Sequence, residues 1–249
     1  PSRGLAFLAR SGLLRFFPAL DALRGVAQDP RWHPEGDVWQ HTLLVVDQAA
    51  KLRQGDEEDD LALMFAALCH DLGKPDVTTS DGERVRSFDH ENVGLPLTEA
   101  LLRRLRASPR LITRVSALIR HHLAPPSFIE NGAKPGAYRR LARRLEESGV
   151  NIELLMRLVL ADQLGRGTED AQAGRFPAGE RFLAQARALR VAQQAPRDVV
   201  QGRHLVARGL APGPAFKELL DRCRQLQDRT GWTDADQILD AVLASDPEA

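Results

Sequence analysis

The sequence predicts an all-α protein: a helical bundle that carries one small hairpin-like insertion and ends in a helical tail. Three observations lead there. Most segments space their apolar residues by three and four, the period of an amphipathic helix. Prolines and glycines separate these segments, and only one stretch alternates in the manner of a strand. With 43% apolar and 27% charged residues, the 249-residue chain matches an ordinary soluble globular protein. It is long enough for one sizeable core or two smaller ones.

In chain order, helices are expected over roughly 2–16, 18–28, 38–54, 58–73, 90–107, 109–122, 135–148, 151–164, 178–194, 214–229 and 233–244. Between the fourth and fifth lies "VTTSDGERVRSF", two short alternating runs around Asp81-Gly82, a dipeptide suited to a tight hairpin. After residue 164, "GRGTEDAQAGRFPAGE" loses periodicity and reads as a linker or long loop. Segments 1–30, 31–168 and 169–249 are the expected structural units.

Charge excludes little. Lys plus Arg equals Asp plus Glu at 34 each, so the net balance gives no argument for a polyanionic partner. Arg197, Arg203, Arg208, Arg222, Arg224 and Arg229 would follow an RNA backbone, but Asp198, Glu218, Asp221 and Asp228 are interleaved with them. A solvated helix face is the plainer reading. Two cysteines, Cys69 and Cys223, are too few for a disulfide framework. No apolar run approaches the roughly 18 residues of a membrane span, and "PSRGLAFLARSGLLRFF" lacks the core of a signal peptide. A reducing cytoplasm is the expected setting.

Chemistry is expected where ionisable residues fall on apolar helix faces. His41 shares a face with Val38, Leu44, Val45 and Ala49; His70 with Leu63, Ala66 and Ala67; Asp162 with Leu155, Leu158 and Val159. A buried carboxylate needs a cation, either arginine or a metal. Imidazole nitrogens beside carboxylate oxygens suit divalent transition metals; the alternative is a structural Arg–Asp–His network. Asp71 adjoins His70 at a helix end that Gly73 closes. Lys74, one of four lysines, either offers a point charge to a phosphate oxygen or complements the helix dipole. His33 and His204 lie in turn-like surroundings and are left out of the site, His33 as a surface residue.

His41, then "HDLGK" at 70–74, then Asp162 resembles the pattern of the HD superfamily of metal-dependent phosphohydrolases. Residue by residue, the resemblance implies His41, His70, Asp71 and Asp162 as ligands of a divalent ion: Mn, Fe, Co, Ni or Mg. His90, His121 and His122 follow the order seen in two-metal members, such as the HD-GYP phosphodiesterases. They are therefore candidates for holding a second ion or for proton transfer. The Gly-Tyr-Pro segment of that class is absent, and Gly73-Lys74 replaces the Glu-Asp pair of guanosine-tetraphosphate hydrolases.

"ARSGLLRFFPALDALRGVAQDPRWHPEGDVWQHTLLVVD", "HENVG", "ADQLGR" and the C-terminal "GRHLVARGLAPGPAFKELL" resemble the HD half of bacterial CCA-adding enzymes, the tRNA nucleotidyltransferases. Residues 1–30 then correspond to neck-like helices, 31–168 to the HD metal-binding domain and 169–249 to the tail. Asp89 stands where such relatives often have glycine. Nothing matches their nucleotide-transferring head.

The activity implied is hydrolysis of phosphate esters of nucleotides or RNA ends, 2′,3′-cyclic phosphodiesters among them. Asp71, Lys74, His90, His121 and His122 would be catalytic, and Lys74 and Arg166 would contact substrate. The alternative is a non-catalytic tRNA- or RNA-binding module that partners a separate nucleotidyltransferase head.

Overall fold

Gly12, left-handed at φ 73°, ends the first helix earlier than its amphipathic spacing predicts. The chain therefore opens with α1 (Ser2–Arg10), a 3-10 turn (Leu13–Phe16) and the single turn α2 (Pro18–Asp21) in place of two long helices. The computed structural model describes residues 1–245.

Most later starts are set by caps or by proline in the first turn. Asp37 accepts the Gln40 N–H at 2.8 Å to begin α3 (Val38–Lys51). Asp56 accepts the Asp59 N–H at 2.8 Å to begin α4 (Glu57–Cys69). A single turn, α5 (Lys74–Val77), leads into the hairpin, where β1 (Thr78–Ser80) pairs antiparallel with β2 (Val85–Ser87) in the register Thr79↔Arg86. This hairpin lies where Asp81-Gly82 predicts it, and it is the only β-structure among the described residues.

The bundle continues with α6 (His90–Arg104), α7 (Pro109–His121), α8 (Ala124–Glu130), α9 (Pro135–Glu147) and α10 (Ile152–Leu164). Pro125-Pro126 reads as a breaker in sequence but sits in the first turn of α8, where a missing N–H costs nothing. The expected linker after residue 164 is packed structure. It contains α11 (Glu169–Gln172), and Phe176 is buried before α12 (Pro177–Ala188).

The tail comprises α13 (Gly202–Ala207), α14 (Ala215–Thr230) and α15 (Ala235–Leu243). Its boundary differs from the expected one. Phe182 and Ala186 of α12 belong to the main core, whereas Val200, Leu205, Cys223, Ile238, Leu239 and Val242 form a second, smaller core. The division between cores therefore falls between Ala192 and Val200, because α12 packs against α8 and α10. At residues 1–30, too, Leu14, Leu20 and Leu23 lie in the main core.

Ion pairs join the two units. Arg143 of α9 contacts Asp198 at 2.6 Å and Asp228 at 2.9 Å, and Arg224 contacts Asp198 at 2.9 Å. Within the tail, Arg208 is paired with Asp236 and Asp240. Burial alone would raise the Asp198 carboxyl, but hydrogen bonds from Arg224 and the charge of Arg143 hold it below its usual value. A depressed native value means that its contribution to stability is complete above the unfolded carboxylate pKa of about 4 and is lost as pH falls below it. Asp198→Asn should therefore lower Tm at pH 7 and have a smaller effect at pH 3. Equal shifts at both pH values would show that this ionisation does not stabilise the junction.

No helix of the described residues is long and apolar enough to cross a membrane. In the main bundle, Arg114 of α7 and Arg157 of α10 both pair with the acidic start of α4. Arg114 meets Glu58 and Asp59, and Arg157 meets Asp59 and Asp60. These contacts fix the direction of α4, whose other end carries His70 and Asp71.

Candidate metal centre

Five helix ends or faces converge behind the hairpin. Val38, Val45 and Ala49 bury one face of α3, and His41 on that face is 0% exposed. Leu44, expected on the same face, is 42% exposed instead. His70 caps the C-terminus of α4, so the chain turns at Asp71-Leu72-Gly73 and both His70 and Asp71 point inward. The buried Leu155, Leu158 and Val159 carry Asp162 inward on α10. His90 opens α6, and His122 caps the end of α7.

The distances define one connected cluster. His41 Nε2 lies 3.1 Å from Asp162 Oδ1 and 4.0 Å from Asp71 Oδ2. His70 Nε2 is 3.3 Å from Asp71 Oδ2, and His90 Nε2 is 3.4 Å from both Asp71 Oδ1 and His122 Nε2. His41, His70 and Asp71 form one group whose donor atoms lie within 4.8 Å of one another; Asp71, His90 and His122 form a second. Asp71 belongs to both.

Hydrogen bonds to the backbone orient three of the imidazoles. The Nδ1 atoms of His70, His90 and His122 lie 3.0, 2.8 and 2.6 Å from the carbonyl oxygens of Ala67, Ser87 and Ile119. A carbonyl only accepts, so each Nδ1 carries a proton, and Nε2 is the atom each ring turns toward the cluster. Burial and the charges of His70 and His90 push His122 down to about 3, which keeps it neutral near pH 7.

The donor set fits a cation. Asp71, Asp162 and Glu35 are buried carboxylate side chains near the cluster, and Lys74 and Arg166 are the side-chain cations paired with them. Burial would raise Asp71, but the charges of His70 and Lys74 hold it well below the usual carboxylate range. Asp162 is likewise held low against its burial by Arg166 and His41. His70 Nε2 is buried with no hydrogen bond of acceptable geometry, and Asp71 Oδ2 is held by its ion-pair contacts with Lys74 and His70. An unsatisfied polar atom this deep is costly, and a divalent ion would satisfy His70 Nε2 while sharing Asp71.

Lys74 is more buried than a loop residue should be. Its Nζ contacts Asp71 Oδ2 at 2.8 Å and Gln28 Oε1 at 2.8 Å. Arg166 lies at the rim, 3.3 Å from Asp162 Oδ2. His121 is not brought to the cluster. It follows the outer face of α7 into a surface groove with Arg103, Arg120 and Arg144, and burial with the charges of Arg144 and Arg120 pushes it down to about 4.

His33 is not a surface residue. Its side chain is 13% exposed and its ring meets that of His41 edge-on at 4.7 Å between centroids. Glu35, missed from sequence, lies between these two histidines. The available signal was its place one turn before α3, in "HPEGD". His204 caps α13 through its Nδ1, which accepts the Gln201 N–H. Asp89 is left-handed at φ 61°, which explains physically why glycine suits this position.

This all-helical body, with His and Asp donors gathered from separate helices, has a family counterpart. The HD domain family model matches residues 38–164, and the chain belongs to that family. Its curated relatives include the Multifunctional CCA proteins of Burkholderia pseudomallei (strain 1106a), 36% identical over 226 residues, and of Halorhodospira halophila, 34% identical over 230. The match to the protein from Burkholderia cenocepacia is 36% over 228 residues. Each covers 90% of this chain and 50% of the relative, so the chain spans about half the length of the curated relatives it matches.

Proposed function

We propose that the chain is a metal-dependent phosphohydrolase acting on phosphate esters of nucleotides or RNA ends, including 2′,3′-cyclic phosphodiesters. One observation carries this reading: two groups of buried imidazole and carboxylate donors share Asp71, and His70 Nε2 is buried among them without a hydrogen-bond partner. A structural Arg–Asp–His network would use His70 Nε2 internally.

His41, His70, Asp71 and Asp162 would hold a first divalent ion, and Asp71, His90 and His122 a second. Mn, Fe, Co, Ni or Mg suits such nitrogen and oxygen donors. When bound, the ions supply Lewis-acid polarisation of the phosphoryl group and acidify water for attack. The protein's own part is charge and position. Arg166 offers guanidinium N–H groups at the rim. Lys74, held by Gln28 and Asp71, would offer its ammonium to the phosphate oxygens. His122, kept neutral, serves as a ligand and not as an acid.

The test is hydrolysis of 2′,3′-cyclic AMP and of a chromogenic phosphodiester with added Mn, Co, Ni or Mg. Turnover that depends on the metal is expected, and silence with every metal would remove the reading. Lys74→Ala should lower kcat/KM by ~10²-fold, the scale of losing one electrostatic stabiliser. Full activity in that variant would show that Lys74 only balances Asp71.

A second reading rests on a different surface. Leu5, Phe7 and Leu8 of α1 and Leu61, Met64 and Phe65 of α4 line an open apolar groove, and Phe7 is 57% exposed. With relatives twice as long, we propose that this groove docks a nucleotidyltransferase head and that the assembly handles tRNA. Co-elution of the chain with such a head, lost in Phe7→Asp, would support it.

A further inference from the structure

Glu35 occupies a place that packing alone does not require. Its side chain is 4% exposed, and both oxygens are committed. Oε1 lies 2.8 Å from His33 Nδ1 and 2.8 Å from His41 Nδ1, and Oε2 accepts the Gly167 N–H at 2.8 Å. An ionised carboxylate only accepts, so both imidazoles must donate from Nδ1. His41 Nε2, 3.1 Å from Asp162 Oδ1, is then the nitrogen left to meet a metal ion, which would take the place of the proton that this contact otherwise requires.

We propose that Glu35 is the positioning residue of the metal centre, fixing the tautomer and the direction of His41 and anchoring the chain that follows Asp162. The assignment rests on the reading of this cluster as a metal site. The other three histidines need no such partner, because a backbone carbonyl three residues earlier takes the Nδ1 proton of each. His41 is different. It lies within α3, where the carbonyl oxygens are used by the helix itself, so a side chain from outside must supply the acceptor.

The second half of the role lies at Gly167. A Cβ there would come 3.0 Å from the Glu35 backbone nitrogen and 3.1 Å from Pro34 Cγ, so the two segments approach as glycine permits. Through this contact one carboxylate ties the approach to α3 to the turn after α10. The ligands at the two ends, His41 and Asp162, lie 3.1 Å apart. His33 completes the arrangement by sharing Oε1, its ring edge-on to that of His41.

Glu35→Gln separates these roles because it keeps the shape and removes one acceptor. If the amide oxygen faces the histidines, its NH2 opposes the Gly167 N–H. If it faces Gly167, the NH2 opposes His41 Nδ1 and favours the ring with its proton on Nε2, which cannot bind a metal. Partners of metal ligands typically change metal affinity by ~10–100-fold. Calorimetric titration of chelator-treated protein with Mn²⁺ should therefore show Glu35→Gln binding ~10–100-fold more weakly, with an unchanged helical spectrum. His33→Ala keeps the Glu35–His41 contact and should lose less.

Equal Mn²⁺ affinity in Glu35→Gln and the unaltered protein would overturn the assignment while leaving the metal site in place. No binding by the unaltered protein would overturn the metal reading, and this assignment with it. Should Glu35→Gln fail to fold, nitrogen NMR of the Zn²⁺-loaded unaltered protein decides. A proton on His41 Nδ1 is expected, and one on Nε2 would refute the role.

Discussion

Asp71→Ala is expected to abolish hydrolysis, with kcat/KM falling by at least ~10³-fold, about 4 kcal/mol of transition-state stabilisation. Asp71 is common to both donor groups, so its loss separates His41 and His70 from His90 and His122. It also leaves Lys74 facing a cluster with one carboxylate fewer, which weakens the demand for a divalent ion. The variant leaves the buried Lys74 ammonium without its carboxylate partner, so some loss of stability should accompany the loss of activity. Activity on 2′,3′-cyclic AMP, bound metal by elemental mass spectrometry and far-UV circular dichroism should be measured on the same sample. Retained turnover with retained metal would show that the centre does not depend on Asp71.

Gly73→Ala should give the largest loss of stability. Gly73 and Gly94 bring two backbones into contact beneath the cluster. A Cβ on Gly73 would collide with the His90 carbonyl oxygen and lie 2.6 Å from the Gly94 nitrogen. These are backbone atoms of α6, so relief requires moving the helix rather than turning a side chain. Overpacking usually costs 1–3 kcal/mol, and a backbone collision belongs at about 3 kcal/mol or above. For a chain of this size that is a fall in Tm of ~6–12 °C. Activity should fall as well, since α6 carries His90, now 3.4 Å from Asp71. Gly4→Ala is the control: in α1, with nothing within 4 Å of its added Cβ, it should raise stability by ~0.5–1 kcal/mol. An unchanged Tm in Gly73→Ala would mean that this approach is looser than the structure has it.

Legibility in the sequence followed the range of the interaction. Where a cap and a periodic face agree, as at Asp37 before α3, Ser108 before α7 and Asn151 before α10, the start of the helix is read correctly. Where one backbone conformation decides, it is not. The spacing across Ser11-Gly12 continues, but the glycine turns left-handed and the helix stops. One-turn helices such as α5 and α11 are too short to show a period at all.

In the site, donor types and the inward faces of His41, His70 and Asp162 follow from helical geometry, because their neighbours at three and four residues are apolar. Neighbouring positions on a helix diverge by about 100°, so "HH" at 121–122 specifies that one ring can face inward without saying which. The packing of α7 decides for His122 and turns His121 toward Arg120 and Arg144.

The sequence by itself therefore determined an all-α body, its hairpin and a set of histidines and aspartates suited to divalent ions, since these depend on local period and side-chain chemistry. Only the tertiary structure decided that Glu35 stands behind His41, that Lys74 turns back onto Asp71 and that the cores divide before Val200. Each of those depends on contacts between segments far apart in the chain, such as Glu35 with Gly167 or Lys74 with Gln28, and no local pattern encodes the distance between them.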